Sequence, residues 1–195
     1  MKYAALIVES RTNEVAKGII NNIRHLPKSW DIIHYNPWTA YFHPVDDYNK
    51  LLTSLEFWKD LEKYERVLIF QHDSGLLKEG IESFLFYDYI GAPWKFQEHG
   101  GNGGLSLRNP KAMIEVIRTF SYGGQSLSGN EDVWFCNMLM SAKERFDKYN
   151  LAPREVCERF SCESIFQMNT LGYHAIDKYL TQDEVTKILT QYEKY

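Results

Sequence analysis

Residues Val67 to Phe70 form a continuous apolar run, VLIF, that stops just short of an acid, Asp73. Four consecutive apolar residues followed by turn formers suit a strand covered on both faces, as in a parallel sheet flanked by helices. In open sheets of that kind ligands collect beyond the carboxyl ends of the strands, so an acid there faces a crevice instead of the core. With Ser74 and Gly75 behind it, Asp73 equally suits a plain turn.

The chain before this run has the same grammar. Tyr3 to Val8 reads as a buried strand, and Asn13 to Ile23 places Val15, Ile19, Ile20 and Ile23 at helical spacing. Trp30 to Tyr35 reads as a second strand closed by Asn36 and Pro37. Asp47 to Tyr64 then carries Leu51, Leu52, Leu55, Trp58 and Leu61 on one helical stripe. Alternating strand and helix predicts an α/β fold with a central, mostly parallel sheet flanked by helices.

The second half is less regular. Phe84 to Trp94 predicts a strand running into a turn at Gly91, Ala92 and Pro93. His99 to Gly104, HGGNGG, has too many glycines for a helix or strand interior and suits close approach of backbone to a ligand. Leu105 to Arg108 resumes as strand, Pro110 opens a helix to about Phe120, and Ser121 to Gly129 is a flexible stretch. Asn130 suits an N-cap for a helix with Glu131 and Asp132 in its first turn, continuing through Val133 to Met140. Pro153 to Arg159 suits a short helix. Thr181 and Glu184 have capping-box spacing ahead of Val185, Ile188 and Leu189.

At 195 residues with 44% hydrophobic content, the expectation is one domain over 1–195. A formal net charge of −4 argues against a general nucleic-acid binder. The 15% aromatic content serves a thick core or platforms for flat and sugar-like ligands alike. Three cysteines with no CxxC pair point to a reducing, cytoplasmic compartment, and no apolar run is long enough to span a membrane. The sequence leaves the oligomeric state open.

Asp73, Asp132 and His174 are the candidates for a metal-dependent site, but no local spacing links them, and neither HxxxH nor HExxH is present. Each has an ordinary alternative: a turn for Asp73, the helix dipole for Glu131 and Asp132, a core or surface position for His174. Taken together and in order, however, VLIFQHDS, YDYIGAPW, GNGGLSLR, NEDVWF, FSCE and GYH resemble a family of small GT-A-type glycosyltransferase-like domains. The likeness runs from the first strand to about His174.

The resemblance implies a nucleotide-sugar donor, a glycan or other hydroxyl acceptor, and a divalent cation, manganese or magnesium, held against the donor diphosphate. Asp73 matches the last acid of the family's DxD motif, with Gln71 where the first acid stands, and His174 matches a late histidine that completes the metal site. Asp132, or less directly Glu131, matches the acid that acts as base. Val8, Glu9, Ser10 and Arg11 fall where the nucleotide binds, at the first βα turn. Gln71 and His72 adjoin the donor, while Gly103, Gly104 and Trp94 border its sugar and the acceptor. The chemistry is consistent: a diphosphate leaving group needs neutralisation and one base, whereas glycoside hydrolysis needs two carboxylates. One base without an evident nucleophile implies inversion. Gln71 favours the rival reading, a nucleotide-sugar or carbohydrate binding module without turnover.

Overall fold

A computed structural model describes residues 1–36, 44–120 and 130–192. In chain order, its first half contains β1 (Tyr3–Val8), α1 (Thr12–Ile23), β2 (Asp31–Tyr35), α2 (Pro44–Leu52), α3 (Leu55–Leu61), β3 (Arg66–Phe70), β4 (Ser74–Leu76) and β5 (Tyr89–Ala92). Then come β6 (Asn102–Arg108), α4 (Pro110–Thr119), α5 (Glu131–Phe146), α6 (Arg154–Phe160), β7 (Ser161–Cys162), β8 (Gly172–His174), α7 (Ile176–Tyr179) and α8 (Gln182–Thr190). Pro37 and the stretch Ser121 to Gly129 lie outside the described residues.

The main sheet has the order β2-β1-β3-β6-β5. β1 pairs in parallel with β2 and β3, and β6 runs antiparallel to both β3 and β5, so four strands point one way and β6 the other. β3 is covered on both faces, as its apolar run requires. Val67 and Ile69 face a layer containing Trp58, Met113 and Phe135, and Leu68 and Phe70 face a layer containing Phe84, Leu107 and Phe160. Truncating such a fully buried Leu or Ile to Ala costs about 2–5 kcal/mol.

Several elements depart from the sequence expectations, each for a local reason. The buried face of α1 is Val15, Gly18 and Asn22 with Ile19 beside them, while Ile20 is 68% exposed and Ile23 also faces outward. Gly18 sets this rotation, because a Cβ there would stand 2.7 Å from Ile7 Cδ1 and 3.2 Å from His72 Cα. Asn22 then fills the same seam and donates to the carbonyls of Gly18 and Ser74. The long helix expected over Asp47 to Tyr64 is two helices, since Ser54 turns extended and its hydroxyl accepts the Phe57 N–H to cap α3. Phe84 to Trp94 is mostly not strand: Ile81–Phe84 makes a turn of 3-10 helix and only Tyr89–Ala92 joins the sheet.

Two corrections bear on the site. Ser74 and Gly75 do not simply turn the chain after Asp73; they begin β4, which pairs antiparallel with β8 in a second, three-stranded sheet ordered β4-β8-β7. The register Ser74↔His174 places the end of β8 against the start of β4. The glycines Gly103 and Gly104 likewise lie within β6 and not in a loop. The register of β5 on β6 breaks between Ile90 and Ala92, which releases the Gly103 and Gly104 N–H groups to other partners.

The helix predictions elsewhere hold: Asn109 caps α4, and Thr181 with Glu184 forms the full capping box of α8. Asn130 occupies the N-cap position of α5 without a side-chain cap bond. All three cysteines are free and buried. Among the described residues no helix is long and apolar enough to cross a membrane.

Candidate functional site

A cavity of about 820 Å³ opens at the carboxyl ends of β1 and β3. Val8 to Arg11 after β1, Gln71 and His72 after β3, and Gly103 and Gly104 on β6 all line it, as do Glu131, Asp132 and His174. Trp94 does not. It is 7% exposed, belongs to the core layer that holds Trp58 and Phe135, and stacks on Phe96 with ring centroids 5.2 Å apart.

The two glycines of β6 bring the two halves of the cavity together. The Gly103 N–H donates to Asp132 Oδ2 at 2.8 Å, and a Cβ on Gly103 would stand 2.5 Å from Glu131 Oε1 and 2.7 Å from Arg108 Nη2. A Cβ on Gly104 would fall under 3.0 Å from three atoms of the His174 ring. The pair thus carries the start of α5 on one side and the end of β8 on the other.

Glu131 and Asp132 are adjacent but chemically distinct. Glu131 is locked to Arg108 by two bonds of 2.6 and 2.9 Å, both side chains being buried, and the guanidinium lies 4.8 Å from the Tyr89 ring centroid. Such a two-bond pair satisfies the charges that burial would otherwise penalise. Its backbone N–H donates to Asn49 Oδ1, tying α5 to α2. Asp132 accepts from the Gly103 and Val133 N–H groups, which orient its carboxylate without neutralising it. Among the described residues no cation pairs with Asp132, so of the two acids it is the one whose charge is left for a ligand.

Asp73 and His174, expected to share a cation, lie together, with His174 Nε2 3.4 Å from Asp73 Oδ1. Around them most contacts are filled, but Asp73 Oδ1 is buried without a hydrogen bond among the described residues. Lys178 Nζ sits 2.6 Å from Asp73 Oδ2, His174 Nδ1 lies 2.9 Å from Glu163 Oε1, and His174 Nε2 is 3.0 Å from Gln71 Oε1. Burial works against the charge on Asp73, but hydrogen bonds from His174 and Lys178 outweigh it and hold the carboxyl well below the usual carboxylate range. Burial likewise disfavours a charged His174, yet its bonds to Asp73 and Glu163 prevail and raise its imidazole.

In the arrangement observed Lys178 occupies Asp73 Oδ2 and Gln71 occupies His174 Nε2, so a divalent cation would have to displace both, with Asp73 Oδ1 as the one oxygen left without a hydrogen bond. Asp73 is not on the cavity wall, where Lys178 and His174 stand instead. The described residues hold no group of three His, Cys, Asp or Glu side chains able to surround a metal ion. Lys178, Glu163, Arg108, Asn49 and Tyr48 are the neighbours the sequence reading missed. Glu163 had a signal in the FSCE motif, and Lys178 follows His174 by four residues. The Tyr48 hydroxyl is buried with no hydrogen bond, on the wall beside Gln71; burial first, then Glu131, push its ionisation upward and keep it a neutral donor.

At the mouth, Glu9 Oε1 accepts the N–H groups of Ser10 and Arg11 as well as Arg11 Nε, and Arg11 Nη2 closes on Oε2 at 2.7 Å. His72 lies between Glu9 and Glu14, 3.6 and 3.5 Å from their carboxylates. Burial opposes ionisation of Glu9, but Arg11 outweighs it and lowers the pKa to about 2.

A mixed sheet with helices on both faces and a polar crevice at its strand ends defines an α/β protein. The chain belongs to the family described as Protein of unknown function (DUF5672), whose model matches residues 32–174. In structure it is similar to a glycosyltransferase involved in the glycosylation of the major capsid of PBCV-1, with a TM-score of 0.55 and 9% identity over 98% of this chain and 100% of that one. It is also similar to the glycosyltransferase GlyE of Streptococcus pneumoniae TIGR4, with a TM-score of 0.47 and 13% identity over 94% of this chain and 56% of that one. Among curated proteins, none matches the sequence.

Proposed function

We propose that this chain is a GT-A-like, inverting glycosyltransferase, a single domain that moves a sugar from a nucleotide-sugar donor to an acceptor hydroxyl. The observation that carries the reading is the cavity at the strand ends, with an oriented carboxylate, Asp132, that no cation pairs with among the described residues, and with Arg11 and Lys178, each on its own carboxylate, elsewhere on the wall. Asp132 removes the acceptor proton as the acceptor oxygen bonds to the anomeric carbon. The bond from that carbon to the phosphate oxygen breaks, and its electron pair leaves with the nucleoside diphosphate. Gly103 fixes the carboxylate in place, so its orientation costs nothing at the moment of reaction. The fold shared with the PBCV-1 glycosyltransferase supports the assignment.

The test is release of nucleoside diphosphate from a panel of UDP- and GDP-sugars, with and without acceptor glycosides. Acceptor-dependent release is expected, and Asp132→Asn should lower it about 10²- to 10⁴-fold with donor affinity nearly unchanged. Full activity in Asp132→Asn refutes the assigned base. Donor binding without release of any product would establish the second reading, a binding module, which Gln71 favours by standing where the family motif has an acid.

A further inference from the structure

Asp73 Oδ2 is covered by Lys178 Nζ at 2.6 Å, and it is Lys178, not Asp73, that lines the cavity. The expected metal ligand therefore presents a lysine to whatever enters. Arg11 lines the same cavity, held on Glu9 by two bonds of 2.9 and 2.7 Å, so a second cationic side chain stands on the wall. Lys178 is 56% exposed while Asp73 is 11% exposed, so the ammonium end of the pair faces water and is open to a second acceptor. An arriving diphosphate offers the ammonium charge-assisted bonds of the same kind from more acceptor oxygens than one carboxylate carries.

We propose that Lys178 is the cation that binds the donor diphosphate, leaving Asp73 as its resting counter-ion, so that the donor binds without a divalent metal. This rests on the glycosyl-transfer reading and deepens it. In the free protein Asp73 parks the lysine at the cavity wall. When the donor binds, the ammonium turns from Asp73 Oδ2 to a phosphate oxygen, while His174, braced by Glu163, remains beside Asp73. As the bond to the sugar breaks, Lys178 and Arg11 neutralise the charge that develops on the leaving diphosphate. Lys178 touches the leaving group and acts directly on it.

The two partners predict opposite signs, which separates this arrangement from a metal site. Binding of UDP and GDP is measured by calorimetry in EDTA and again in manganese. Wild type is expected to bind one of them with the same affinity, within about twofold, in both buffers. Lys178→Met should weaken that binding about tenfold in EDTA, and Lys178→Arg should restore most of it. Asp73→Asn removes the competitor for Lys178 and should leave binding intact or tighter, whereas a metal ligand at Asp73 would make the same variant lose it. Binding that requires manganese, or that falls in Asp73→Asn, overturns the proposal, as does unchanged binding in Lys178→Met. Unliganded melting temperatures serve as the control: a Lys178→Met loss matched by a lowered melting temperature and not rescued by arginine also overturns it. If wild type binds a nucleotide but the variants behave otherwise, only the role of Lys178 falls. If wild type binds neither nucleotide in either buffer, the glycosyl-transfer reading falls and takes the proposal with it.

Discussion

Replacing Gly104 with alanine tests the site's construction without knowledge of any ligand. The added Cβ would fall under 3.0 Å from His174 Cε1, Nε2 and Cδ2, and Gly104 has no left-handed φ, so the perturbation is purely steric. To regain ordinary contact the imidazole must withdraw by roughly 1 Å, enough to loosen hydrogen bonds held near 3 Å. The bonds at stake are His174 to Glu163 at 2.9 Å and to Gln71 at 3.0 Å, with the 3.4 Å approach to Asp73. Overpacking costs about 1–3 kcal/mol, and stranding a buried polar partner adds about 1–3 kcal/mol. The expected loss is therefore about 2–6 kcal/mol, read as the shift in urea midpoint at unchanged slope. In a His174→Ala background the obstruction is gone, and the same substitution should be nearly neutral. A double-mutant cycle then gives a coupling above about 1.5 kcal/mol. Additive effects would refute the claim that Gly104 exists to admit the His174 ring.

Glu131→Gln keeps the shape but leaves Arg108 a buried, uncompensated cation. It should destabilise the protein by about 3–5 kcal/mol in chemical denaturation, and a shift under about 1 kcal/mol would exclude the pair as a structural device. The lowered pKa of Asp73 means that its contribution is fully present above its ordinary value of 3.8 and drains as pH falls toward the folded value, so stability should rise with pH across the acid range. Asp73→Asn should flatten that slope, and parallel slopes in the two proteins would contradict it. His174 has the opposite sign: with its pKa raised, its contribution is complete below 6.5 and is lost as pH rises through the folded value.

The strands of the parallel half were legible because burial on both faces demands unbroken apolar runs, and Tyr3–Val8 and Val67 to Phe70 supply them. Periodicity misled in α1, where hydrophobic Ile20 and Ile23 face outward and the contact is made by Gly18 and Asn22, residues a hydrophobic stripe does not count. Gly103 and Gly104 were seen as places of close approach but assigned to a loop. What approaches them is the protein's own Arg108, Glu131 and His174, which no local pattern reveals. For that reason Gly103→Val would damage folding at least as much as ligand binding. Asp132 was legible from its place at a helix start. The resemblance ranked it ahead of Glu131, but the physical difference between the two acids depends on Arg108 at the far end of β6, which no local pattern shows. Lys178 is ordinary in sequence and acquires meaning only from the Ser74↔His174 register.

That register also sets an order of events in time. The five strands of the main sheet are all contained in the chain up to Arg108, although later residues such as Met113, Phe135 and Phe160 cover its faces. The β4–β8 pairing instead joins segments about a hundred residues apart, as the 103-residue separation of Gln71 and His174 shows. Closing a flexible loop of that length costs on the order of 4 kcal/mol in chain entropy before any contact is gained. Contacts so distant in sequence are slow to form. By loop length alone, the contacts of Asp73 with His174 and Lys178 are expected to form after the strand pairs of the main sheet, an order that pulsed hydrogen exchange would check. Early protection of the β8 amides would refute the expectation that the cavity's cationic wall is completed after the scaffold beneath it.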